Sequence, residues 1–289
     1  MTESPPERIR CRAITLAESS AIADLLTRGF PERTKDYWTG ALKTLAELER
    51  PEGFPRFGYM LENGQTPVGV ILMIFRHAEG GAIRCNISSW YVEEKFRGFA
   101  SLLIAAALRH KDVTYINISP APHTWPVIEA QGFRRYCSGQ MLTFPLLSVS
   151  SGSVAMEPFD PARHNESMLS TEEYRVMADH VGRGCIGLIG RDEKVASPFL
   201  FLPRRILGNR IPSLQLVYCR DLSDYVRFGN PLGRTLLRLG YMIVLVDALE
   251  RLPGVTGIFF KNRGPKYARG PSPPRLGDLS FCENILFGP

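Results

Sequence analysis

Ser88-Ser89-Trp90-Tyr91-Val92-Glu93-Glu94-Lys95-Phe96-Arg97-Gly98-Phe99-Ala100-Ser101-Leu102-Leu103-Ile104 passes from a strand through an Arg-Gly turn into an apolar helix. A chain making that passage presents unpaired main-chain N–H groups together with the positive end of a helix dipole, the chemistry that holds a diphosphate. Upstream, Ile83, Cys85 and Ile87 share one face of the strand, whereas Trp90 and Val92 fall in the opposite phase. A change of phase within one strand signals an inserted residue, so a β-bulge is expected near Ser88 and Ser89. Such a bulge would end pairing with the neighbouring strand at 113–119 and open a wedge between the two. A plain edge strand ending at Val92 is the alternative that periodicity leaves open.

On the N-terminal side, residues 9–14 alternate like an edge strand, and Ile22, Leu25 and Leu26 stand at helical spacing within 17–29, with Gly29 as the stop. A second helix is expected over 37–48. Strands over 56–62 and 68–75 flank Asn63-Gly64, which tolerate positive φ and so mark a hairpin. On the C-terminal side follow an apolar helix over 99–110, the strand over 113–119 and a short helix over 124–131. Pro126 suits the first turn of that short helix, and Gly132 the position just past its end. Strands over 134–137 and 140–146 close this half.

Ser148-Val149-Ser150-Ser151-Gly152-Ser153 has the composition of a flexible linker and sets a domain boundary, giving domains 1–147 and 148–289. Beyond it the order recurs: a strand over 154–157, a helix over 172–181, strands over 185–190, 195–202 and 214–220, a helix over 231–252 and a strand over 255–260. The run 242–246 would alone suit a buried strand. Helical spacing of Leu232, Leu236, Leu239, Ile243 and Val246, with Asn230-Pro231 as a start signal, favours the helix. Asp112-Val113-Thr114-Tyr115-Ile116 is echoed by Gly254-Val255-Thr256-Gly257-Ile258, so a repeat of one fold is expected. The Pro- and Gly-rich tail at 264–274 reads as a loop covering one face.

With Gln131-Gly132-Phe133 downstream, the 88–104 stretch resembles the acyl-coenzyme-A site of the GCN5-related N-acetyltransferase (GNAT) superfamily. The resemblance covers roughly residues 8–147, and 154–289 in outline only. It implies an α+β (α/β) fold of two tandem GNAT-like domains, each a mixed, mostly antiparallel sheet flanked by helices, the first with a bulged central strand. It implies acetyl-CoA or another acyl-CoA as donor, with the pantetheine arm threaded through the wedge. The reaction would move an acetyl or longer acyl group to an amine, or a hydroxyl, of a small molecule such as an amino sugar.

The family's loop has an Arg or Gln, then glycines at the third and fifth positions after it. Arg97 and Gly98 fit; Ala100 and Leu102 stand where the glycines would be. The cofactor-binding set implied is Trp90, Tyr91 and Val92 on the strand, with main chain pairing the pantetheine amides, and Arg97, Gly98, Phe99, Ala100, Ser101 and Leu102 around the diphosphate. The family's base, a glutamate on or near the bulged strand, points to Glu93. Its acid, a tyrosine four residues before the glycine of the Gly-Phe pair, is Ile128 here. Candidates to replace it are His123, whose imidazole can carry a proton, and Asn117 and Ser119, which share a face with Tyr115. Asn86, Ser88 and Ser89 are placed to position an acceptor or a water. The altered loop equally admits a catalytically inactive tandem fold that binds a ligand or partner. In the second half, Phe228-Gly229-Asn230-Pro231-Leu232-Gly233 occupies the place of the loop, but Pro231 removes a donor, so this half is expected to wall the acceptor pocket rather than bind coenzyme A. Lys261, Arg263, Lys266 and Arg269 are expected on a late basic loop, solvated or facing an anionic acceptor.

Bulk properties narrow the classes. Lys+Arg number 35 against 29 Asp+Glu, a net charge of +6 spread over both halves, which is not the concentrated basic face of a nucleic-acid binder. Six cysteines lie far apart without short paired spacing, so neither a metal site nor a redox pair is implied. The N-terminus lacks the pattern of a secretory signal, and the apolar runs at 102–108 and 242–246 fall short of the roughly 18 residues that span a bilayer. A soluble cytoplasmic protein with a small-molecule partner, no nucleic acid and no membrane span is the expectation.

Overall fold

The computed structural model describes residues 9–149, 154–164, 168–192, 196–272 and 274–288. These form two compact units, the first from 9–118 with 268–272 and 282–288, the second from 119–267 with 274–281.

The first unit runs β1 (Ile9–Ala13), α1 (Ser19–Gly29), α2 (Lys35–Glu47), β2 (Gly58–Asn63), β3 (Thr66–His77), β4 (Ile83–Val92), α3 (Ala100–Ala107) and β5 (Val113–Asn117), with strand order β1-β2-β3-β4-β5. Neighbouring strands are antiparallel except β4 and β5, which are parallel. The Asn63-Gly64 signal resolves as a tight hairpin pairing Asn63 with Thr66, and Gly64 takes φ +65°. The Thr34 hydroxyl starts α2 by accepting the Tyr37 N–H at 3.2 Å. Ile22, Leu25, Leu26, Trp38, Leu42 and Leu45 of α1 and α2 bury against Met60, Val70, Leu72 and Ile74 on one face of the sheet. α3 covers the other face, where Gly69 leaves room for Leu61, Val92 and Leu103 to meet.

The second unit holds α4 (Trp125–Ala130), β6 (Arg134–Thr143), β7 (Ala155–Pro158), α5 (Thr171–Gly182), β8 (Ile186–Arg191), β9 (Ala196–Ile206), β10 (Ile211–Cys219), α6 (Leu222–Arg227), α7 (Gly229–Arg238), β11 (Val244–Ala248) and β12 (Gly257–Arg269). Its strand order is β12-β6-β11-β10-β9-β8-β7. α6 and α7 bury Tyr225, Phe228, Leu232 and Leu236 against Phe199, Phe201, Leu214, Leu216, Val244 and Val246 on one face. α5 lies on the other, its Met177 and Val181 reaching Gly187. The last helix, α8 (Glu283–Leu286), belongs to the first unit, where Leu286 joins the α1–α2 core.

The units repeat one plan. Strand, helical layer, hairpin, bulged strand, helix and parallel strand follow in order as β1, α1–α2, β2–β3, β4, α3, β5 and again as β7, α5, β8–β9, β10, α6–α7, β11. The chain halves are nonetheless interlocked. β6, sequentially the end of the first half, lies between β12 and β11 in the second unit, antiparallel to β11 with Thr143 opposite Val244. The units therefore divide after Ile118, and residues 150–153 of the serine-rich linker lie outside the described residues.

Four sequence expectations are corrected here. The helix expected over 231–252 ends at Arg238 and Val244–Ala248 is a strand. Gly240, at φ +89°, closes α7 with the paired end bonds Tyr241 N–H to Leu236 O and Gly240 N–H to Leu237 O, both 2.9 Å. The counterpart of β5 is thus β11, not the 254–258 echo. The two strands expected over 134–146 are one, because Gly139 allows the Phe260 carbonyl of β12 to approach where a Cβ would stand. Finally, 264–269 is strand rather than loop, with Lys266 and Tyr267 buried.

His180 on α5 is fully buried, its Nδ1–H donating to the Val176 carbonyl at 2.7 Å while Nε2 accepts the Phe281 N–H at 3.0 Å. Burial lowers its pKa to about 4 from an ordinary 6.5. The unfolded chain therefore takes up this proton first on acidification, so the contribution of His180 is complete above pH 6.5 and is lost as pH falls through about 4. Urea denaturation should show stability falling by about 3 kcal/mol over that window from this group. A pH slope unchanged in His180→Gln would refute the assignment.

Candidate functional site

The first unit contains the inserted residue that the phase change marks. Val70 of β3 faces Tyr91 and Leu72 faces Ser88, so two steps on β3 match three on β4. Ser89 is the displaced residue, with φ +51°. The bulge puts Ser88 and Tyr91, three apart, on the same face, where the Tyr91 ring lies so close to Gly29 that a Cβ would overlap it. It also ends the parallel ladder: β4 and β5 pair from Ile83 with Val113 to Asn86 with Ile116 and no further, although β4 continues to Val92. The β5-facing edge of residues 87–92 has no strand partner among the described residues. Trp90 sits on this stretch with its indole N–H buried and unbonded among the described residues.

The turn expected to cradle phosphate is a 3₁₀ turn, Glu94–Phe99, running directly into α3. Its bonds turn main-chain donors inward: Phe96 N–H bonds the Glu93 carbonyl at 2.9 Å, and Ala100 N–H bonds the Arg97 carbonyl. Of the expected donors between Arg97 and Leu102, Ala100 is therefore already engaged. No side chain caps the start of the turn. Phe96 is buried beneath it, Arg97, Gly98 and Ser101 are exposed, and Phe99 and Leu102 are 41% and 42% exposed, so the leucine at the second glycine position points out of the fold. A Cβ on Gly98 would meet open space. Glu93 is held outward by Arg28, whose Nε and Nη2 donate to Oε1 at 3.2 and 2.7 Å.

Around the split, Asn117 ends β5 half-buried, while Tyr115 beside it is buried with its hydroxyl accepting the His110 N–H at 3.3 Å. Burial, reinforced by the neighbouring Cys85, pushes the Tyr115 phenol far up. Ser119 and His123 belong to the second unit, both exposed. Ile128 is buried in α4.

One group at the split carried no local signal in the sequence. Glu283 of α8 is buried and accepts a hydrogen bond from the Asn86 amide, at the last rung of the β4–β5 ladder. Tyr37 of α2 stands near: burial raises its phenol, with Arg33 opposing and Glu283 adding, and its hydroxyl donates to the Gly288 carbonyl at 3.4 Å. The Ser88 and Ser89 hydroxyls are bonded to each other at 2.9 Å.

In the second unit, β10 also carries a bulge, between Leu216 and Tyr218, and pairs in parallel with β11 only at Leu214 and Gln215. Here the helix start is filled. Gly229 and Gly233 of α7 abut Ser148 and the main chain of Leu146, and the Asn230 amide donates to the Leu146 carbonyl at 2.7 Å.

The chain as a whole, with its two successive copies of a parallel strand pair parted by a bulge, resembles solved structures in fold. The fold is that of the GCN5-related N-acetyltransferases. An enzyme of this family from Anabaena variabilis superposes with a TM-score of 0.59 at 14% identity, over 91% of this chain and 72% of its own. One from Kribbella flavida gives 0.56 at 14%, over 91% and 71%. Eis1 from Mycobacterium abscessus gives 0.52 at 10%, over 94% and 74%. No protein-family profile and no curated sequence matches the chain. No helix among the described residues is long and apolar enough to cross a membrane, and no group of His, Cys, Asp or Glu there is arranged to hold a metal ion.

If Ser89 sets the β4 bulge, its left-handed φ is the constraint. Ser89→Gly should stay within about 1 kcal/mol of wild type in urea denaturation, and Ser89→Val should lose about 1–2 kcal/mol. Equal stability of the two variants would show that the bulge places no demand on this residue.

Proposed function

We propose that the first unit binds an acyl-coenzyme A and transfers the acyl group, acetyl or longer, to the amine or hydroxyl of a small molecule. The observation that carries this reading is the unpaired β4 edge at 87–92, which offers main-chain donors and acceptors to the amide groups of a pantetheine arm. Trp90 and Val92 would supply that main chain. The diphosphate would meet the uncapped start of the Glu94–Phe99 turn and the exposed Arg97 guanidinium, with the outward Leu102 leaving the approach open. The solved neighbours with this fold include N-acetyltransferases, which supports acyl transfer as the chemistry.

Transfer requires a neutral nucleophile, a polarised thioester carbonyl and a proton for the departing sulfur. Glu283 is the carboxylate best placed to take the acceptor's proton, because Asn86 fixes it at the split, whereas Glu93 is engaged by Arg28. The Asn117 amide, at the end of β5, would orient the thioester carbonyl. Ser119 and His123 remain the proposed source of the proton for the leaving thiol. The second unit, whose helix start is filled by residues 145–148, would not bind coenzyme A. The domains 1–147 and 148–289 would be the two ancestral copies, with β6 exchanged into the second unit.

A second reading, a tandem fold that binds a ligand without turnover, is favoured by Ile128 in place of the tyrosine and by the Ala100 N–H already bonded to Arg97. Thiol release from acetyl-CoA against a panel of amines separates the two.

Acetyl-CoA binding the folded state alone should raise Tm, and Arg97→Glu should weaken that binding about tenfold or more without lowering the Tm of the free protein. An undiminished shift in the variant would remove the turn from the site. Glu283→Gln should lower kcat about a hundredfold with little change in KM for the donor. His123→Ala should lower kcat rather than donor affinity. Unchanged turnover in either variant would strike that residue from the reaction.

A further inference from the structure

The second unit holds a cleft of about 730 Å³ on the sheet face opposite α6 and α7. Adjacent strands each contribute to it: Arg263 from β12, Gln140 from β6, Leu245 from β11, Gln215 from β10 and Arg204 and Arg205 from β9, closed at one end by the turn 207–209. Among the described residues lining it, three are arginines and none is acidic. Asp247, bonded to the lining residue Gln140, is paired: Lys266 donates to it at 2.9 Å, both side chains are buried, and Gln140 donates to the same oxygen at 3.3 Å. The Arg205 guanidinium is braced by its Nε–H on the Asn209 carbonyl at 2.7 Å, and Arg263 lies over the Phe260 ring at 5.5 Å.

Gln215 shows that the cleft is more than a basic surface. Its side chain is 6% exposed and lines the cleft, yet its amide makes no hydrogen bond among the described residues. The amide is reached from the cleft, where a ligand can bond both its N–H and its carbonyl oxygen. Gln215 is also the last residue of the parallel β10–β11 pairing, the place held by Asn86 in the first unit. Asn86 there is satisfied by Glu283 from the same chain. Among the described residues of the second unit no carboxylate bonds Gln215, and Arg204, Arg205 and Arg263 line the same cleft.

We infer that this cleft is a binding site for a small molecule carrying several anionic oxygens, phosphate or carboxylate, held by Arg205 and Arg263 and by the Gln215 amide. Guanidinium groups match both oxyanions in geometry, and the volume suits a metabolite-sized ligand. The site lies entirely within the second unit, so it stands whether or not the first unit transfers acyl groups.

Isothermal titration of the full chain with pyrophosphate and, separately, citrate tests the site and distinguishes the two oxyanions. Binding of either should weaken about tenfold or more in Arg205→Gln/Arg263→Gln and about fivefold in Gln215→Leu, a change that keeps shape and removes the amide. Arg234→Gln/Arg238→Gln on α7 removes equal charge away from the cleft and should leave binding unchanged. Equal loss in that control, undiminished binding in the cleft variants, or no binding of either probe would overturn the proposal. So would cleft-dependent binding of a single-stranded oligonucleotide in the absence of any response to both probes. Unaltered circular dichroism in Gln215→Leu keeps the result interpretable if the double variant unfolds.

Discussion

One residue too many in β4 organises the first unit. Antiparallel pairing with β3 fixes the strand on both sides of Ser89, so the surplus residue must leave the ladder, and the strand beyond it bends away from β5. The cost is a left-handed serine and a row of main-chain groups without a strand partner. Unpaired edges invite association with other chains, and proteins usually cover or charge them. Here the edge is short and opens beside the start of the Glu94–Phe99 turn. The same displacement turns Tyr91 into the α1–α2 core and Val92 towards α3, so the bulge is locked by packing on both faces. Sliding the strand by one residue would expel one of these side chains.

What the sequence disclosed follows from how local each signal is. The Asn63-Gly64 hairpin, the Gly29 and Gly132 stops and the phase change at Ser88-Ser89 involve contacts within a few residues, and each resolves where the pattern puts it. The 242–246 run is too short for periodicity to separate strand from helix, and Gly240, the local stop signal, outweighs the helical spacing of Ile243 and Val246. The tail at 264–274 reads as irregular because six of its eleven residues are proline or glycine, yet the position of 264–269 beside β6 in the sheet supplies the pairing that composition could not show. Lys266, expected on a surface loop, is consequently buried against Asp247.

Glu283 illustrates the part of the site that no local reading reaches. Its partner Asn86 is 197 residues away, and only the return of the chain terminus into the first unit joins them. Nothing about Glu283-Asn284-Ile285-Leu286 distinguishes it from an ordinary helical turn. The interlocking of the halves has the same character. β6 follows the first unit's elements in sequence, but its pairing with β11 depends on strands formed a hundred residues later.

The two copies of the bulged strand show how a repeated fold can divide its labour. Both open a parallel pair, at Asn86 with Ile116 and at Gln215 with Leu245. In the first, the helix start is left uncapped and the buried amide is answered by a carboxylate of the chain. In the second, glycines at 229 and 233 let residues 145–148 press onto the helix start, which removes the room a diphosphate would need. The opposite face of the second copy carries arginines from β9 and β12 that line one cleft with Gln215. Filling one side of the sheet and charging the other involve different residues, so the packing at the start of α7 leaves the arginine-lined cleft open.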